Sequence, residues 1–209
     1  MSAARKPRYE RQVAADRREA LVDAAIESLK RWGHEGLSVR RIAAEAGVSI
    51  GLINHYFPNK DGLVAESYRA FSRRLAKSFE AAVERAPPDP RSRLRAYFDA
   101  FFSSPNLDPQ VLTAWVVYWS LVQVSPEMRA VHQEESGGYG DVLGRLLADL
   151  ARERGRAPPD SDLTVTGLVA LLDGLWLKFC LDPGSYRPKD AAALCDAWVD
   201  RVIGPRTAP

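Results

Sequence analysis

Ser38-Val-Arg-Arg-Ile-Ala-Ala-Glu-Ala-Gly-Val-Ser-Ile-Gly-Leu-Ile-Asn-His-Tyr-Phe-Pro-Asn-Lys60 decides how this 209-residue chain folds. Its spacing predicts two short helices joined by a turn at Gly47. Ser38 is placed to cap the first helix, which buries Val39, Ile42, Ala43 and Ala46. Gly47 supplies the backbone freedom the turn needs, and Val48 anchors the turn in the core. Ser49 caps the second helix, which runs to about Phe57 and is stopped by Pro58. Helices joined in this way form a helix-turn-helix, whose second helix enters the major groove of DNA.

The faces of that second helix separate. Ile53 and Phe57 are four residues apart and, with Val48, are expected to pack on the preceding helices. Gly51 lets a neighbouring backbone approach. Ile50, Leu52, Asn54, His55 and Tyr56 then face solvent or DNA, unless Ile50 or Leu52 is partly buried. In a major groove the two aliphatics suit thymine methyls, and Asn54 suits the N6/N7 edge of adenine. His55 is either a contact or a surface histidine. Ser38 and Ser49 with the amides they cap, the Tyr56 hydroxyl and Lys60 are candidate phosphate donors.

Outward from this core, a first helix is expected at about 16–32, with Leu21, Val22, Ala25, Ile26, Leu29 and Trp32 on one face. Gly33 and Gly36 mark its stop. Residues 1–15 read as a loose basic arm. Asn59 caps a long helix from Lys60 to about Ala86, ended by Pro87-Pro88-Asp89-Pro90. Helical patterns follow at about 91–102, 109–123, 127–153, 162–181 and 189–203, and no period-2 strand pattern is evident. The expected fold is all-α. A helix-turn-helix domain at 16–59 precedes a helical regulatory and dimerisation domain at 60–209, with 60–86 as the connecting helix.

Charge supports this division. Residues 1–60 hold 11 lysines and arginines against 7 acids, whereas residues 61–209 hold 18 against 20. The basic excess lies beside the candidate DNA element, where cations gain affinity by releasing counterions from phosphates. No apolar run approaches the roughly 18–20 residues of a membrane span. The basic N-terminus is followed by no apolar segment of a signal peptide. Cys180 and Cys195 form neither a Cys-x-x-Cys motif nor a disulfide framework, so a reduced cytoplasm is expected.

Residues 17–66 resemble the DNA-binding domain of the TetR (tetracycline-repressor) family. The shared features are the apolar first helix, Ser38-x-x-x-Ile42-Ala43-x-x-Ala46-Gly47-Val48-Ser49, Gly51, and Tyr56-Phe57-x-x-Lys60. Asn54 departs from the family pattern, which often has Tyr there. The resemblance implies a homodimer on a palindromic operator that represses transcription and lets go when a small ligand binds the second domain. It also implies that the last two long helices pair with their copies in a four-helix interface. Residues of their apolar stripes, Leu168, Leu172, Leu175, Phe179, Leu194, Trp198 and Val202, are the interface candidates.

Aromatics concentrate in the second domain. Trp115, Tyr118 and Trp119 share one helix, Tyr97, Phe101 and Phe102 another, and Trp176 lies three residues from Asp173 on a third. Aromatics at such spacing serve either a core or a ligand cage. Indoles near an acid are the composition of a cation pocket, since aromatic faces attract quaternary ammonium ions. Ala114–Trp119, Ala170–Leu177 and Gly51–Phe57 resemble the subfamily of choline-responsive repressors of glycine-betaine synthesis genes. That resemblance implies choline or another cation as effector. Polyamines and hydrophobic compounds are the alternatives. The candidate ligand residues are Tyr97, Phe101, Trp115, Tyr118, Trp119, Asp173 and Trp176.

The rival class is a helical enzyme fused to a DNA-binding module. Gly137-Gly138-Tyr139-Gly140 follows no strand and lacks a Lys-Ser/Thr, so it reads as a flexible break in a helix. His132 with Glu134 and Glu135 lacks the second histidine of a His-Glu-x-x-His site and reads as an exposed helix face. No catalytic residue, metal or cofactor is expected.

Overall fold

A computed structural model describes residues 8–157 and 161–204, without the side chains of 8–12, 137, 139 and 161. The described residues form α1 (Arg8–Trp32), a 3-10 turn (Gly33–Leu37), α2 (Val39–Ala46), α3 (Ile50–Tyr56), α4 (Lys60–Arg85), α5 (Pro90–Phe101), α6 (Pro109–Val122), α7 (Pro126–Glu153), α8 (Ser161–Leu181) and α9 (Pro188–Ile203). They contain no strand. The chain divides into two compact units. One comprises residues up to 71 together with 113–132; the other comprises 72–112 and 133 onward.

In the first unit, Leu21, Val22, Ala25, Ile26 and Leu29 of α1 are buried with Ile42 and Ala43 of α2, Ile53 of α3 and Phe57. Gly36 allows the 3-10 turn to lie on α1. A Cβ there would stand 2.2 Å from the Ser28 carbonyl oxygen, so only glycine fits. The Ser28 hydroxyl donates to the Gly36 carbonyl and closes that contact at 2.9 Å. Gly47 adopts φ 65°, the left-handed conformation that ends α2 and redirects the chain into α3.

In the second unit, α5 starts on Asp89, whose side chain accepts from the Ser92 amide at 2.8 Å. Arginines tie α5 and the residue that follows α7 to α9. Arg91 makes two bonds to Asp200 at 2.8 and 2.9 Å, and Arg154 bonds Asp200 at 2.6 Å. These cations hold the Asp200 carboxyl below its ordinary range against the opposing effect of partial burial. On α8, Thr164, Leu168, Leu172 and Trp176 recur every four residues and are buried.

Several expectations need correction. Residues 8–15 are helical and extend α1 rather than forming an arm; residues 1–7 lie outside the described chain. Trp32 is 49% exposed, with the Arg41 guanidinium 4.7 Å over its ring. Ser38 stands at the N-cap of α2, but its hydroxyl makes no capping bond. The glycines at 137–140 lie within unbroken α7. A Cβ at Gly140 or at the nearby Gly144 would stand in ordinary contact with Val165 of α8, 3.5 and 3.4 Å away. The segment 113–132 joins the first unit, whereas the sequence reading placed all of 60–209 in one domain. Finally, α8 is long and apolar enough over Asp162–Leu181 to cross a membrane by length and composition alone. Asp173 and Lys178 interrupt its apolar runs and hid this from a search for uninterrupted ones.

Candidate nucleic-acid interface and aromatic cluster

The Ser49 hydroxyl accepts from the Leu52 amide at 3.3 Å and sets the start of α3. Ile53 and Phe57, 2% and 4% exposed, pin its inner side. The outer side carries Ile50, Gly51, Asn54 and His55, all exposed, with Leu52 and Tyr56 half-buried. Ile50 is 43% exposed. No protein backbone approaches Gly51, where a Cβ would meet only the Ser49 hydroxyl at 3.8 Å. The His55 and Tyr56 rings meet edge-on at 5.2 Å.

Ser38, Ser49 and Lys60 are exposed around this face. The Asn59 side chain accepts from the Gly62 amide at 2.7 Å and fixes the start of α4. The sequence-predicted DNA residues thus all lie at the surface of the first unit. Sequence reasoning missed the set behind them. Arg18 of α1 lies 4.6 Å over the Phe57 ring and 3.1 Å from Glu66 of α4. The Arg18 guanidinium holds the Glu66 carboxyl below its usual range.

The candidate ligand residues fall into separate groups. In the first unit, the Trp115 ring lies 5.9 Å from Trp119, 5.9 Å edge-on from Tyr68 and 5.1 Å from Phe71. Tyr118 is fully buried, 5.0 Å from Tyr68, and its hydroxyl donates to Ser67 at 2.9 Å. His132 stacks on Tyr68 at 6.3 Å, and its Nδ1 lies 2.8 Å from the Tyr68 hydroxyl. Tyr68 and Phe71 were missed, although Leu63, Val64, Ser67, Tyr68 and Phe71 show the apolar period of a packed helix.

In the second unit, Tyr97 and Phe101 are buried and pack tilted against Phe79, with ring centroids 5.2 and 5.5 Å away. Their surroundings are those of core rings. Trp176 is buried, and Asp173 stands three residues before it on α8. Desolvation pushes the half-buried Asp173 carboxyl up to about 6, and no ion pair to it occurs among the described residues.

His132 is half-buried rather than on an exposed face, while Glu134 and Glu135 pair with Arg73 at 3.1 and 3.0 Å. Among the described residues, no group of three His, Cys, Asp or Glu is placed to hold a metal. Of the interface candidates, Leu168 and Leu172 are fully buried within the protomer and cannot face a second copy. Leu175, Phe179 and Trp198 are half-buried, and Leu194 and Val202 exposed. Leu163, Leu177 and Leu181 are exposed as well, on the side of α8 opposite its buried stripe.

An all-helical chain with a buried three-helix scaffold and an outward-facing second helix of a helix-turn-helix is a DNA-binding regulator in architecture. Residues 21–67 match the family described as bacterial regulatory proteins, tetR family, and residues 90–204 match the BetI-type transcriptional repressor C-terminal domain. The chain belongs to the TetR family of transcriptional regulators and carries the C-terminal domain of its BetI-type repressors. It is 31% identical to the HTH-type transcriptional regulator BetI of Burkholderia thailandensis over 91% of this chain and 95% of that one. A crystal structure of a transcriptional regulator from Pseudomonas aeruginosa PAO1 superposes with TM-score 0.82 and 43% identity, over 90% of this chain and 91% of that one. A regulator from Saccharomonospora viridis, in complex with choline, shares the fold at TM-score 0.76 and 19% identity, over 89% of this chain and 96% of that one.

Proposed function

We propose that this repressor binds a palindromic operator as a homodimer and is released by a small cation of the choline class. The observation that carries the reading is the exposed Ile50, Asn54 and His55 face of α3 on a buried scaffold. Ile50 and Leu52 supply apolar contacts to thymine methyls, and Asn54 a bidentate contact to adenine. Ser38, Ser49, Gly51, His55, Tyr56 and Lys60 position the phosphate backbone around α3.

One seven-residue helix reads few base pairs, so a second copy adds the affinity a specific site needs. The apolar side of α8 and α9, with Leu163, Leu177, Leu181, Leu194 and Val202 open to solvent, is the surface we assign to that copy. Two-fold symmetry then places the half-sites about 34 Å apart or a multiple of it.

The aromatic cluster of the first unit is assigned to the ligand. Within the first unit, the Trp115 and Trp119 rings offer π faces for a quaternary ammonium, a contact of about 2 kcal/mol when desolvated. The choline complex of the fold relative from Saccharomonospora viridis supports a ligand of this class. Tyr68 and Phe71 pack in the Trp115 cluster and belong to α4, whose first turn adjoins α3. A ligand that reorders this cluster acts on the helix that begins beside the reading face. Release requires tighter binding to the DNA-incompetent state, with coupling of roughly 1–3 kcal/mol.

The test is a gel shift on the DNA upstream of the protein's own gene, with and without choline. Specific binding relieved by choline is the expected result. Equal retention of the DNA at saturating choline overturns the ligand assignment. Trp119→Ala should keep DNA affinity and lose the choline response.

A further inference from the structure

Behind the reading helix, three elements meet at one guanidinium. Arg18 of α1 lies over the face of Phe57, the residue that closes α3, at 4.6 Å. The same guanidinium reaches Glu66 of α4 at 3.1 Å, and Glu66 also accepts from Arg69 at 3.0 Å. These side chains border an open cleft of about 420 Å³ that Tyr56, Asn59 and Gly62 also line. Phe57 is almost wholly buried, whereas the Arg18 side chain is 43% exposed. Arg18 therefore adds little to the hydrophobic core but fixes where the end of α3 stands relative to α4.

We propose that Arg18 and Glu66 are positioning residues for DNA recognition, a clamp that holds α3 at its reading angle through Phe57 and ties that angle to α4. The proposal rests on the repressor reading. Glu66 is two residues from Tyr68 of the aromatic cluster, so the clamp also joins that cluster's helix to the reading helix.

The sign of one substitution separates positioning from electrostatics. Glu66→Gln removes a negative charge from the DNA-binding unit. If Glu66 mattered only through its charge, this change would tighten binding to any DNA. If it positions α3, specific binding weakens while random-sequence binding does not. The experiment measures operator and random-DNA affinity over a salt series for full-length wild type, Arg18→Met, Glu66→Gln and the double variant.

Arg18→Met should weaken operator binding about fivefold, the size of one exposed cation–π contact with one partly exposed ion pair, and Glu66→Gln about two- to threefold, since it removes the ion pair alone. The double variant should lose no more than about fivefold, because both changes open the same clamp. The salt slope should stay at the wild-type value. Random-DNA affinity reports that each variant is folded and basic.

Tighter operator binding by Glu66→Gln overturns the proposal. So does a salt slope reduced by about one in Arg18→Met, which would make Arg18 a phosphate contact. Unchanged operator affinity in both single variants overturns it as well. Failure of the wild type itself to prefer operator over random DNA overturns the repressor reading and the clamp with it.

Discussion

Asp173→Asn should make the protein more stable at neutral pH. The Asp173 carboxyl is half-buried on α8, and desolvation raises it from an ordinary 3.8 to about 6. The folded state therefore binds this proton more tightly than the unfolded chain. Its contribution is fully present below pH 3.8, is lost as pH rises towards 6, and above that leaves a constant penalty. At about 1.36 kcal/mol per pH unit, the penalty is about 3 kcal/mol at pH 8. That value is an upper bound, since water reaches a half-buried carboxylate as the site relaxes. It falls to about half at pH 5, where part of the folded population is protonated.

Asparagine keeps the shape without the charge. For a chain of this size, about 2–4 °C accompanies each kcal/mol, so the midpoint at pH 8 should rise by up to about 10 °C. Thermal unfolding of both proteins is compared from pH 5 to pH 8 at one protomer concentration, because any self-association would shift the midpoint. A gap that is positive at pH 8 and narrows towards pH 5 is the expected result. A variant less stable than wild type at pH 8, or a gap that does not narrow, refutes the reasoning.

Lys60→Ala should weaken operator and random DNA alike and lower the salt slope by about one in a titration of binding against salt. Ser67→Ala should destabilise more than Tyr118→Phe in thermal unfolding. The first removes both the acceptor that Ser67 offers the buried Tyr118 hydroxyl and the bond from Ser67 to the Val64 carbonyl, whereas after the second Ser67 still donates to that carbonyl at 2.7 Å. Leu177→Glu, on the exposed side of α8, should shift the sedimentation equilibrium to monomer without unfolding the protomer. An unchanged dimer would move the interface away from that face.

The sequence alone determined the reading element. Gly47 and Ser49 set the turn and start of α3 through local backbone geometry and capping, and Ile53 and Phe57 marked its inner side by spacing. Periodicity also placed the later helices to within a residue or so, because helix ends are governed by nearby Pro, Asp and Asn. The start of α1 was the exception, since residues 8–15 carry no apolar stripe to announce a helix.

Only the tertiary structure decided which aromatics keep company. Trp115, Trp119, Tyr97 and Phe101 look alike in sequence. Packing places Trp115 against Tyr68, Phe71 and Trp119, and Tyr97 and Phe101 against Phe79. It likewise buried Leu168 and Leu172 while leaving Leu177 and Leu181 open, a division the leucines of α8 could not announce by type alone. The Arg18 clamp depends on residues 39 and 48 positions apart in the chain, Phe57 and Glu66. Local rules act over one helical turn, so turns, caps and faces are legible in a sequence. Contacts between distant segments depend on how whole helices pack, and there side chains of the same type take different neighbours.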